Sequence, residues 1–589
     1  MPDLMTRWGR ELDVDHVLAE HPRPQLVRDS HLNLNGRWEH AFTAEDAPAP
    51  STYDGPIVVP FSPEAPLSGV GRQLQPDERL WYRRTVTLPD GFVRDRVLLH
   101  FGAVDQTCTV WLNDVEVGGN EGGYWAFTLD VTEALRPGEN TLVVAVRDLS
   151  DGHQHASGKQ RLQRGNIWYT AQSGIWQTVW MESVPATWVD RLTLTPHLAD
   201  GELEITVHAA GTTAADGGPA TARVEVAGRE VEVAVGEPTR IGIDDVRPWS
   251  PEDPHLYDVA VTLGADHVTS YAGMRSVGIT TDADGTPRIT LNGEPYLHLG
   301  VLDQGYWPDG LMTAPSDAAL VHDVETMKRL GFTMLRKHIK VESMRFYHHC
   351  DRLGMLVWQD AVNGGAPYRR RAVANAKPRH FDDTVRRRPL GREDAAGRAL
   401  FERELARTID QLHDVVSIVV WVPFNEGWGQ FDAARIAEET ATRDPSRLVD
   451  HASGWHDQGA GDLWSLHVYQ QEVAVPSRPS AERRAFVLSE YGGVSLLVPG
   501  HAFDETRTFG HGTSRTEEAW LESFTRLHDD QIATAVRQGL AATVYTQLSD
   551  VEDEVNGLLT YDRETSKAPE AAVRAAVDAV RAAYDDARG

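Results

Sequence analysis

Cysteine is nearly absent from this chain, which has two such residues, Cys108 and Cys350, in a length of 589. Two cysteines cannot build the disulfide framework that holds small secreted domains together. They also lie in segments that we assign to different domains, so we expect both to be free thiols. The simplest setting is a reducing compartment, and we predict a cytoplasmic protein.

Long apolar runs are missing as well. Residues 1–24 lack the apolar core that a secretory signal peptide contains. Elsewhere, no stretch approaches the roughly twenty consecutive apolar residues that a membrane-spanning helix needs. We therefore expect no association with a membrane.

Positive charge is in deficit, because 57 Lys and Arg residues face 87 Asp and Glu residues, for a formal net charge of −30. Such a surface repels phosphate backbones, so we expect no nucleic-acid partner. The remaining composition, 41% hydrophobic and 24% charged, is that of an ordinary globular protein. A chain of this length has room for several domains, each with its own core.

The first half of the chain consists of short strand patterns separated by glycine and proline turns, such as residues 80–86 and 97–101. Many strands at regular spacing indicate β-sandwiches. We predict one sandwich over residues 1–185. A second, over residues 186–279, has the size of an immunoglobulin-like domain but lacks its cysteine pair.

From about residue 280 the pattern changes to alternating strands and helices. Eight such units predict a (β/α)8 barrel over residues 280–589. The last helical pattern, residues 569–587, places its apolar side chains on one face. The eight predicted strands are residues 296–301, 332–336, 355–358, 418–424, 448–450, 463–468, 486–488 and 541–546.

Two of these strands lead into a glutamate. Residues 418–424 are followed by Asn425 and Glu426, and residues 486–488 by Ser489 and Glu490. The carboxyl ends of barrel strands open on the face where barrel enzymes carry their reactive groups. Glycoside cleavage requires two carboxyl groups, one to protonate the leaving oxygen and one to capture or stabilise the sugar. This pair therefore indicates a glycoside hydrolase.

On these residues the chain resembles glycoside hydrolase family 2, the family of β-galactosidases, β-glucuronidases and β-mannosidases. Asn425-Glu426 resembles the family's acid/base dipeptide, and residues 489–492 resemble its nucleophile segment. Residues 34–38 and 173–177 are similar to parts of the family's amino-terminal jelly-roll domain. The resemblance implies a jelly-roll sandwich, an immunoglobulin-like sandwich and a catalytic TIM barrel, in that order.

The resemblance also implies a retaining exo-β-glycosidase, with Glu426 as acid/base and Glu490 as nucleophile. Asn425 would bind the sugar 2-hydroxyl, and Tyr469, at the end of strand six, would steady the nucleophile. To act as an acid near neutral pH, Glu426 should have a raised pKa while Glu490 stays ionised. Other residues at the strand ends are predicted to contact the sugar or to support those that do: Asp303, Arg336, His338, Trp358, Asp360, Trp455 and His467.

Two departures from the family bear on the substrate. Strand eight of the family usually offers a tryptophan, and the matching position here is Thr546. Residues 556–558 are Asn-Gly-Leu, without the lysine by which glucuronidases bind a carboxylate. We therefore expect a neutral terminal sugar, a β-galactoside in the first place. A furanosidase acting on β-galactofuranosides or arabinofuranosides is the alternative. Carbohydrate is the expected partner, alongside a second copy of the chain in a homo-oligomer, and no cofactor is expected.

Two other classes of function compete with this one. The sequence from His348 through His349 and Cys350 to Asp351 suggests a metal site, but adjacent residues of a helix do not share a face. No HExxH or CxxC motif supports it either, so we expect no metal. A non-catalytic carbohydrate-binding protein would not need both carboxylates. Residues 366–394, long and rich in arginine, are expected to form a lid over the barrel, a solvated insertion or a subunit contact.

Overall fold

The computed structural model of the chain describes residues 4–211, 220–373, 381–479 and 481–588. Two β-sandwiches precede a barrel of parallel strands surrounded by helices. In these residues, no helix is long and apolar enough to cross a membrane. The multidomain fold that the sequence predicted is confirmed, while the divisions at residues 185 and 279 stay predictions.

The first sandwich packs a four-stranded antiparallel sheet against a six-stranded one. Strands such as Glu139–Arg147 alternate buried and more exposed residues, so each sheet turns one face to a shared core. Trp38 and Trp176 are at most 2% exposed and belong to the buried interior. The strands are His31–Asn33, Gly36–Ala44, Gly55–Val59, Glu78–Thr87, Arg96–Phe101, Val104–Asp105, Thr107–Leu112, Val115–Glu121, Phe127–Asp130, Glu139–Arg147, Gln160–Arg161, Tyr169–Thr170, Gly174–Ile175 and Val179–Val184.

In its described residues, the second sandwich combines a three-stranded with a four-stranded antiparallel sheet, and these seven strands match an immunoglobulin-like domain. Cys108, in the first sandwich, and Cys350, in the barrel, are both free and buried in separate cores. The strands of the second sandwich are Thr187–His197, Glu202–Gly211, Thr221–Val226, Arg229–Ala234, Thr239–Gly242, Tyr257–Leu263 and Asp266–Ala272.

The barrel has eight strands, which we number β1 to β8 in chain order. They are His298–Asp303, Met334–Lys337, Leu356–Asp360, Ile418–Val422, Leu448–Val449, Leu463–Val468, Ala485–Gly492 and Leu540–Thr546. Every ladder between them is parallel, and β8 lies beside β1. Within the described residues, only the neighbours β5 and β6 lack a ladder, so the barrel is nearly closed. The predicted barrel is confirmed.

Some of the barrel helices begin at capping side chains. Ser316 accepts a hydrogen bond from the Ala319 N–H, and Asp394 accepts one from the Gly397 N–H, which satisfies free donors at the helix start. In the last helix the predicted apolar face is buried. The barrel-domain helices, including a π-helical turn at Leu527–Ile532, are Asp317–Arg329, Met344–Leu353, Arg370–Val373, Ala395–Leu412, Ala433–Arg443, Glu517–Arg526, Ala533–Arg537 and Glu570–Asp586.

Apolar side chains cover both faces of the barrel wall. Met334 and Val544 lie in the cluster that fills the interior, while Leu335 and Val357 lie in the cluster shared with the surrounding helices. A hairpin that contains Pro287–Leu291 adds its buried side chains to the interior cluster. The charged side chains of the barrel strands lie near the carboxyl ends.

A loop of the first sandwich lies over this end of the barrel. The backbone N–H groups of Ser157 and Gly158 donate to the Asn363 carbonyl, which follows β3, at 2.9 and 3.0 Å. Further along the same loop, Arg164 pairs with Asp553 at 2.6 Å, in the segment that follows β8. The first sandwich thus borders the barrel mouth on two sides.

Candidate active site

Glu426 follows β4 in an unusual backbone conformation. Its φ of +50° lies in the left-handed region, which residues with a side chain seldom adopt and which is frequent at functional sites. The Glu426 N–H donates to the Ser453 carbonyl at 2.9 Å, and Gly427 continues the turn with a φ of +76°. This turn holds the carboxyl group at the barrel mouth, with 14% of the side chain exposed.

Glu490 lies within β7 at an irregularity of the ladder. His467 of β6 pairs with Glu490, whereas the preceding residue of β6 pairs with Leu488, so one residue of β7 is extra. Such bulges redirect side chains near active sites. The Glu490 side chain is 7% exposed and accepts hydrogen bonds from Arg336 at 3.1 Å and from the Tyr469 hydroxyl at 2.6 Å.

His467 joins the two glutamates. Its Nδ1 lies 2.8 Å from Oε1 of Glu426 and 3.5 Å from Oε2 of Glu490, and its Nε2 lies 3.0 Å from Oγ of Ser453. One carboxylate oxygen of each glutamate and a ring nitrogen of His467 all lie within 4.8 Å of one another. The carboxyl groups after β4 and on β7 therefore meet across a narrow gap.

The surroundings of the two glutamates drive their pKa values apart. Burial raises the pKa of Glu426 above its ordinary value, although the hydrogen bond with His467 opposes this. Burial also disfavours the Glu490 carboxylate, but the charges of His467 and Arg336 outweigh that cost and lower the pKa of Glu490 to about 2. Two neighbouring carboxyl groups with opposed shifts are suited to an acid and an ionised nucleophile.

Arg336, on β2, organises the polar groups under these glutamates. Its guanidinium, fully buried, donates to both oxygens of Asp360 at 3.0 and 3.1 Å and to Glu490. It also donates to Oδ1 of Asn425 at 2.9 Å, which fixes the orientation of that amide. The Asn425 Nδ2 group is buried and has no hydrogen-bond partner among the described residues. A donor left unpaired in a cleft is available to a ligand.

His338 and Tyr469 complete the predicted set at the mouth. His338 Nδ1 lies 2.7 Å from Asp360, and burial lowers the pKa of His338 well below its ordinary value. The Tyr469 hydroxyl lies 2.9 Å from Oγ1 of Thr546, the strand-eight residue that replaces the expected tryptophan. Trp455 lies beside His467, with 5.5 Å between the ring centres.

Asp303 and Trp358 were predicted to belong to this group, and the structure places both elsewhere. Asp303 is paired in register with Lys337, and its carboxylate contacts the Lys337 ammonium at 2.7 Å on the outer side of the barrel wall. Trp358 is fully buried in the barrel interior, where its indole N–H donates to His298 at 3.0 Å. Because His298 begins β1, that contact lies towards the opposite end of the barrel.

The sequence His348-His349-Cys350-Asp351 does not form a metal site. His349 contacts Asp317 at 2.9 Å, Cys350 lies in the hydrophobic core, and Asp351 accepts hydrogen bonds from Tyr271 and from a backbone N–H. These side chains turn to different partners, as expected for consecutive residues of a helix. Across the described residues, the one His and carboxylate group with metal-ligand spacing is the glutamate–histidine cluster itself.

Two residues near the glutamates were not predicted. Lys159, from the first sandwich, lies 3.7 Å from Glu554, and its charge adds to burial in lowering the pKa of His338. Asp450, after β5, is buried, and burial raises its pKa above the ordinary value. Because Asp450 ends a predicted strand, the sequence could have identified it as a candidate site residue. The sequence carried no such signal for Lys159, because its place at the barrel mouth depends on how the first sandwich docks on the barrel.

The arginine-rich insertion packs beside Glu426. The Leu390 carbonyl accepts a hydrogen bond from the Gly429 N–H at 3.0 Å, and Arg387 pairs with Asp432 at 2.7 Å. Both contacts join residues 381–394 to the turn that carries Glu426. Residues 374–380 lie outside the described part of the chain, and the lid role stays a prediction.

Comparison with curated proteins finds relatives that are named β-galactosidases. The chain is 28% identical over 420 residues to one from Arthrobacter sp. (strain B7), which covers 68% of this chain and 36% of the relative. It is 25% identical over 575 residues to one from Klebsiella pneumoniae (strain 342), which covers 83% of this chain and 52% of the relative. The chain therefore spans roughly a third to a half of these relatives' length.

Solved structures share the fold over nearly the whole chain. A GH2 β-galacturonidase from Eisenbergiella tayi bound to glycerol has a TM-score of 0.69 at 17% identity and covers 95% of this chain and 98% of its own. A Faecalibacterium prausnitzii β-glucuronidase has a TM-score of 0.70 at 21% identity, with coverage of 93% and 97%.

Three family models match the chain in succession. They describe the sugar binding domain of glycosyl hydrolases family 2 at residues 52–185, the family 2 middle region at 187–275 and the family 2 TIM barrel domain at 289–579. Together these matches cover most of the chain and coincide with the two sandwiches and the barrel. The chain belongs to glycoside hydrolase family 2.

Proposed function

We propose that the chain is a retaining exo-β-glycosidase that removes terminal neutral sugars, with Glu490 as nucleophile and Glu426 as acid/base. The spacing of the glutamates carries this proposal, because their facing atoms lie within 4.8 Å of each other. Retaining glycosidases hold the two carboxyl groups roughly 5–5.5 Å apart, and inverting ones roughly 6.5–9.5 Å apart to admit a water. The distance between the two carboxyl groups here suits direct attack of Glu490 on the sugar.

In the first step, the Glu490 carboxylate attacks the anomeric carbon while Glu426 gives its proton to the leaving oxygen. The glycosyl ester on Glu490 is then hydrolysed by a water that Glu426, now a carboxylate, deprotonates. The raised pKa of Glu426 and the lowered pKa of Glu490 support these roles. The unpaired Asn425 Nδ2 is available to bind the sugar 2-hydroxyl.

We take β-galactosides as the substrate, in line with the names of the curated relatives. A uronide is less suited to this chain, since Leu558 is buried at 1% exposure where glucuronidases carry a lysine. Lys567, the next lysine along the chain, is already bound to Asp550 at 2.6 Å and to the Val555 carbonyl at 2.7 Å.

A furanosidase is the second candidate. Thr546 offers a hydroxyl, bonded to Tyr469, where a tryptophan would form an aromatic floor for a pyranose. A panel of nitrophenyl glycosides separates the candidates, and we expect the highest kcat/KM on β-galactopyranoside. Faster turnover of a β-galactofuranoside or arabinofuranoside selects the second candidate, and a preference for a glucuronide contradicts both.

The mechanism is tested by trapping the intermediate. A 2-deoxy-2-fluoro glycoside with a good leaving group should label Glu490, as shown by mass spectrometry of peptides. For Glu490→Ala, azide should restore turnover and give the α-glycosyl azide, because azide attacks from the face that Glu490 occupied. Labelling of another residue, or wild-type release of the inverted sugar, rules out the assignment. A chain that turns over no glycoside would be a binding protein.

A further inference from the structure

We propose that the first sandwich completes the sugar site, with the Lys159 ammonium donating a hydrogen bond to a ring hydroxyl of the terminal neutral sugar. This inference rests on the proposed function, and it assigns a specificity-determining residue that lies outside the catalytic barrel. It is carried by the position of Lys159, by its unfilled hydrogen-bonding capacity and by the charge of its neighbours.

The position of Lys159 is fixed by the loop that precedes it. Gly158 has a φ of +59°, and a Cβ added there would come within 3.0 Å of the Ile339 carbonyl, so the backbone lies directly on the end of β2. The Gly158 N–H donates to the Asn363 carbonyl, beyond β3, at 3.0 Å. From there the Lys159 side chain reaches Glu554, beyond β8, at 3.7 Å. Lys159 therefore spans one side of the mouth.

The Lys159 ammonium is buried without close partners. The residue is 7% exposed, and the nearest described acceptors are the Tyr169 hydroxyl at 3.5 Å and Glu554 at 3.7 Å. Hydrogen bonds from ammonium to oxygen are normally about 2.7–3.2 Å long, and an ammonium can make three. A buried ammonium that lacks hydrogen-bond acceptors is unfavourable. An oxygen atom of a ligand placed here would therefore accept a hydrogen bond from Lys159 and be held.

Lys340 shows what a purely structural lysine looks like in this protein. It is 1% exposed and donates to the Gly305 carbonyl at 2.6 Å, the Met312 carbonyl at 2.7 Å and Glu342 at 2.6 Å. All three of its donors are used by the protein. The contrast indicates that the N–H donors of Lys159 are available to a ligand.

The charge of Lys159 affects the pKa values of residues at the candidate site, which shows that Lys159 faces that site. The charge adds to burial in lowering the pKa of His338, and it opposes the effect of burial on the pKa of Glu426. His338 Nδ1 is bound to Asp360, whereas its Nε2 has no partner among the described residues. The ammonium and this nitrogen are therefore close to Glu426, and we infer that both can bind hydroxyls of one sugar.

The charge balance favours a neutral hydroxyl over a carboxylate. The Glu554 carboxylate, 2% exposed, lies beside Lys159 and accepts a hydrogen bond from the Tyr169 hydroxyl. The Lys159–Glu554 pair is therefore neutral overall, and a sugar carboxylate placed there would add an uncompensated buried charge. A hydroxyl can accept from Lys159 without that cost.

The test compares Lys159→Met with Arg164→Met on the nitrophenyl glycoside that the wild type cleaves fastest. Arg164 is a matched control, because it belongs to the same loop but pairs directly with Asp553. We expect Lys159→Met to lower kcat/KM roughly 10- to 100-fold, the range for one hydrogen bond from a charged donor. Lys159→Gln, which keeps an N–H donor, should recover part of the loss, and Arg164→Met should stay within about threefold of wild type.

Monodeoxy substrates identify the hydroxyl. For one deoxy sugar, Lys159→Met should cost little further activity, because the acceptor is already missing. An equal loss on every deoxy sugar, or no loss on the parent glycoside, overturns the proposal. A larger loss on a uronide than on the neutral glycoside would show that Lys159 binds a carboxylate and would overturn it as well.

Binding provides a readout that does not need turnover. In a Glu490→Gln background, calorimetry with the free product sugar should give a Kd roughly 10- to 100-fold higher when Lys159 is also replaced by methionine. Loss of wild-type turnover on all glycosides would contradict the proposed function alone. An unchanged Kd in this experiment would contradict the role of Lys159 alone.

Discussion

Two buried charge clusters lie back to back on β2, and they differ in what they leave unpaired. Arg336 faces the barrel interior and binds Asp360 and Glu490, whereas Lys337, the next residue, faces outward and binds Asp303 and Glu342. We call these the inner and the outer cluster. Both consist of cations and carboxylates that are at most 5% exposed.

The outer cluster is saturated. Lys337 contacts two carboxylates and lies 3.9 Å from the centre of the Phe346 ring, on a helix outside the barrel. Beside the inner cluster, hydrogen-bonding capacity stays free, since Asn425 Nδ2 has no described partner and Glu426 remains partly exposed. Residue types alone thus do not distinguish a catalytic cluster from a structural one. A catalytic cluster is distinguished by hydrogen-bond donors without partners and by a side that is open to a ligand.

The largest expected effect comes from Glu490→Gln in the inner cluster. We expect kcat to fall by roughly 10⁴-fold or more, as when a member of a catalytic unit is removed, because an amide cannot form the glycosyl ester. The shape of the site is kept, so the melting temperature should change little. Activity within tenfold of wild type would show that the inner cluster is not the reacting one.

Replacing the two neighbouring cations should separate the clusters. Lys337→Met leaves two outer carboxylates without this partner and should lower the free energy of unfolding by about 3–5 kcal/mol, with kcat/KM of the folded enzyme nearly unchanged. Arg336→Met should reduce both stability and kcat/KM. Urea unfolding followed by tryptophan fluorescence, with kinetics on the same samples, measures both. A Lys337→Met enzyme that is stable but inactive would reverse the assignment.

Side-chain direction is the part that the sequence could not provide. The order of barrel strands and the positions of Glu426 and Glu490 follow from apolar segments that end in polar residues. The direction of Asp303 depends on its register with Lys337, because neighbouring positions of a strand face opposite sides. Asp303 ends a strand as Asp360 does, yet only Asp360 faces inward. Nothing local in the sequence sets that register.

The reach of the sandwich into the site could not be predicted either. Lys159 and Glu554 are separated by almost four hundred positions, and their contact depends on how the first sandwich docks on the barrel. Strand patterns report which residues form a sheet, but they say nothing about the loop that a sheet presents to another domain. In the same way, the placement of Trp358 deep in the interior depends on packing around His298.

A smaller effect is expected from Asn425→Ala. The loss of one hydrogen bond to the 2-hydroxyl should lower kcat/KM roughly 10- to 100-fold on the full substrate. On the corresponding 2-deoxy glycoside the same substitution should have little effect, since no 2-hydroxyl is present. Equal losses on both substrates would indicate that Asn425 acts by orienting Arg336, which its Oδ1 also contacts.

The smallest effect is a shift in pH dependence on removal of His467. Burial raises the pKa of Glu426, while the hydrogen bond and the charge of His467 lower it. Taking away His467 therefore raises the pKa of Glu426 further, and the alkaline limb of kcat/KM, where Glu426 loses its proton, should move to higher pH. His467→Gln removes the charge but keeps an N–H donor, so it should move the limb less than His467→Phe.

The acid limb gives the second half of this experiment. His467 also helps to lower the pKa of Glu490 to about 2, so its removal raises that pKa too, and the acid limb should move to higher pH. A substrate with a 2,4-dinitrophenyl leaving group needs no proton from Glu426. The alkaline shift in bond cleavage should therefore vanish on that substrate while the acid shift remains. A limb that moves to lower pH in either variant would mean that His467 does not lower the pKa values of the two carboxyl groups.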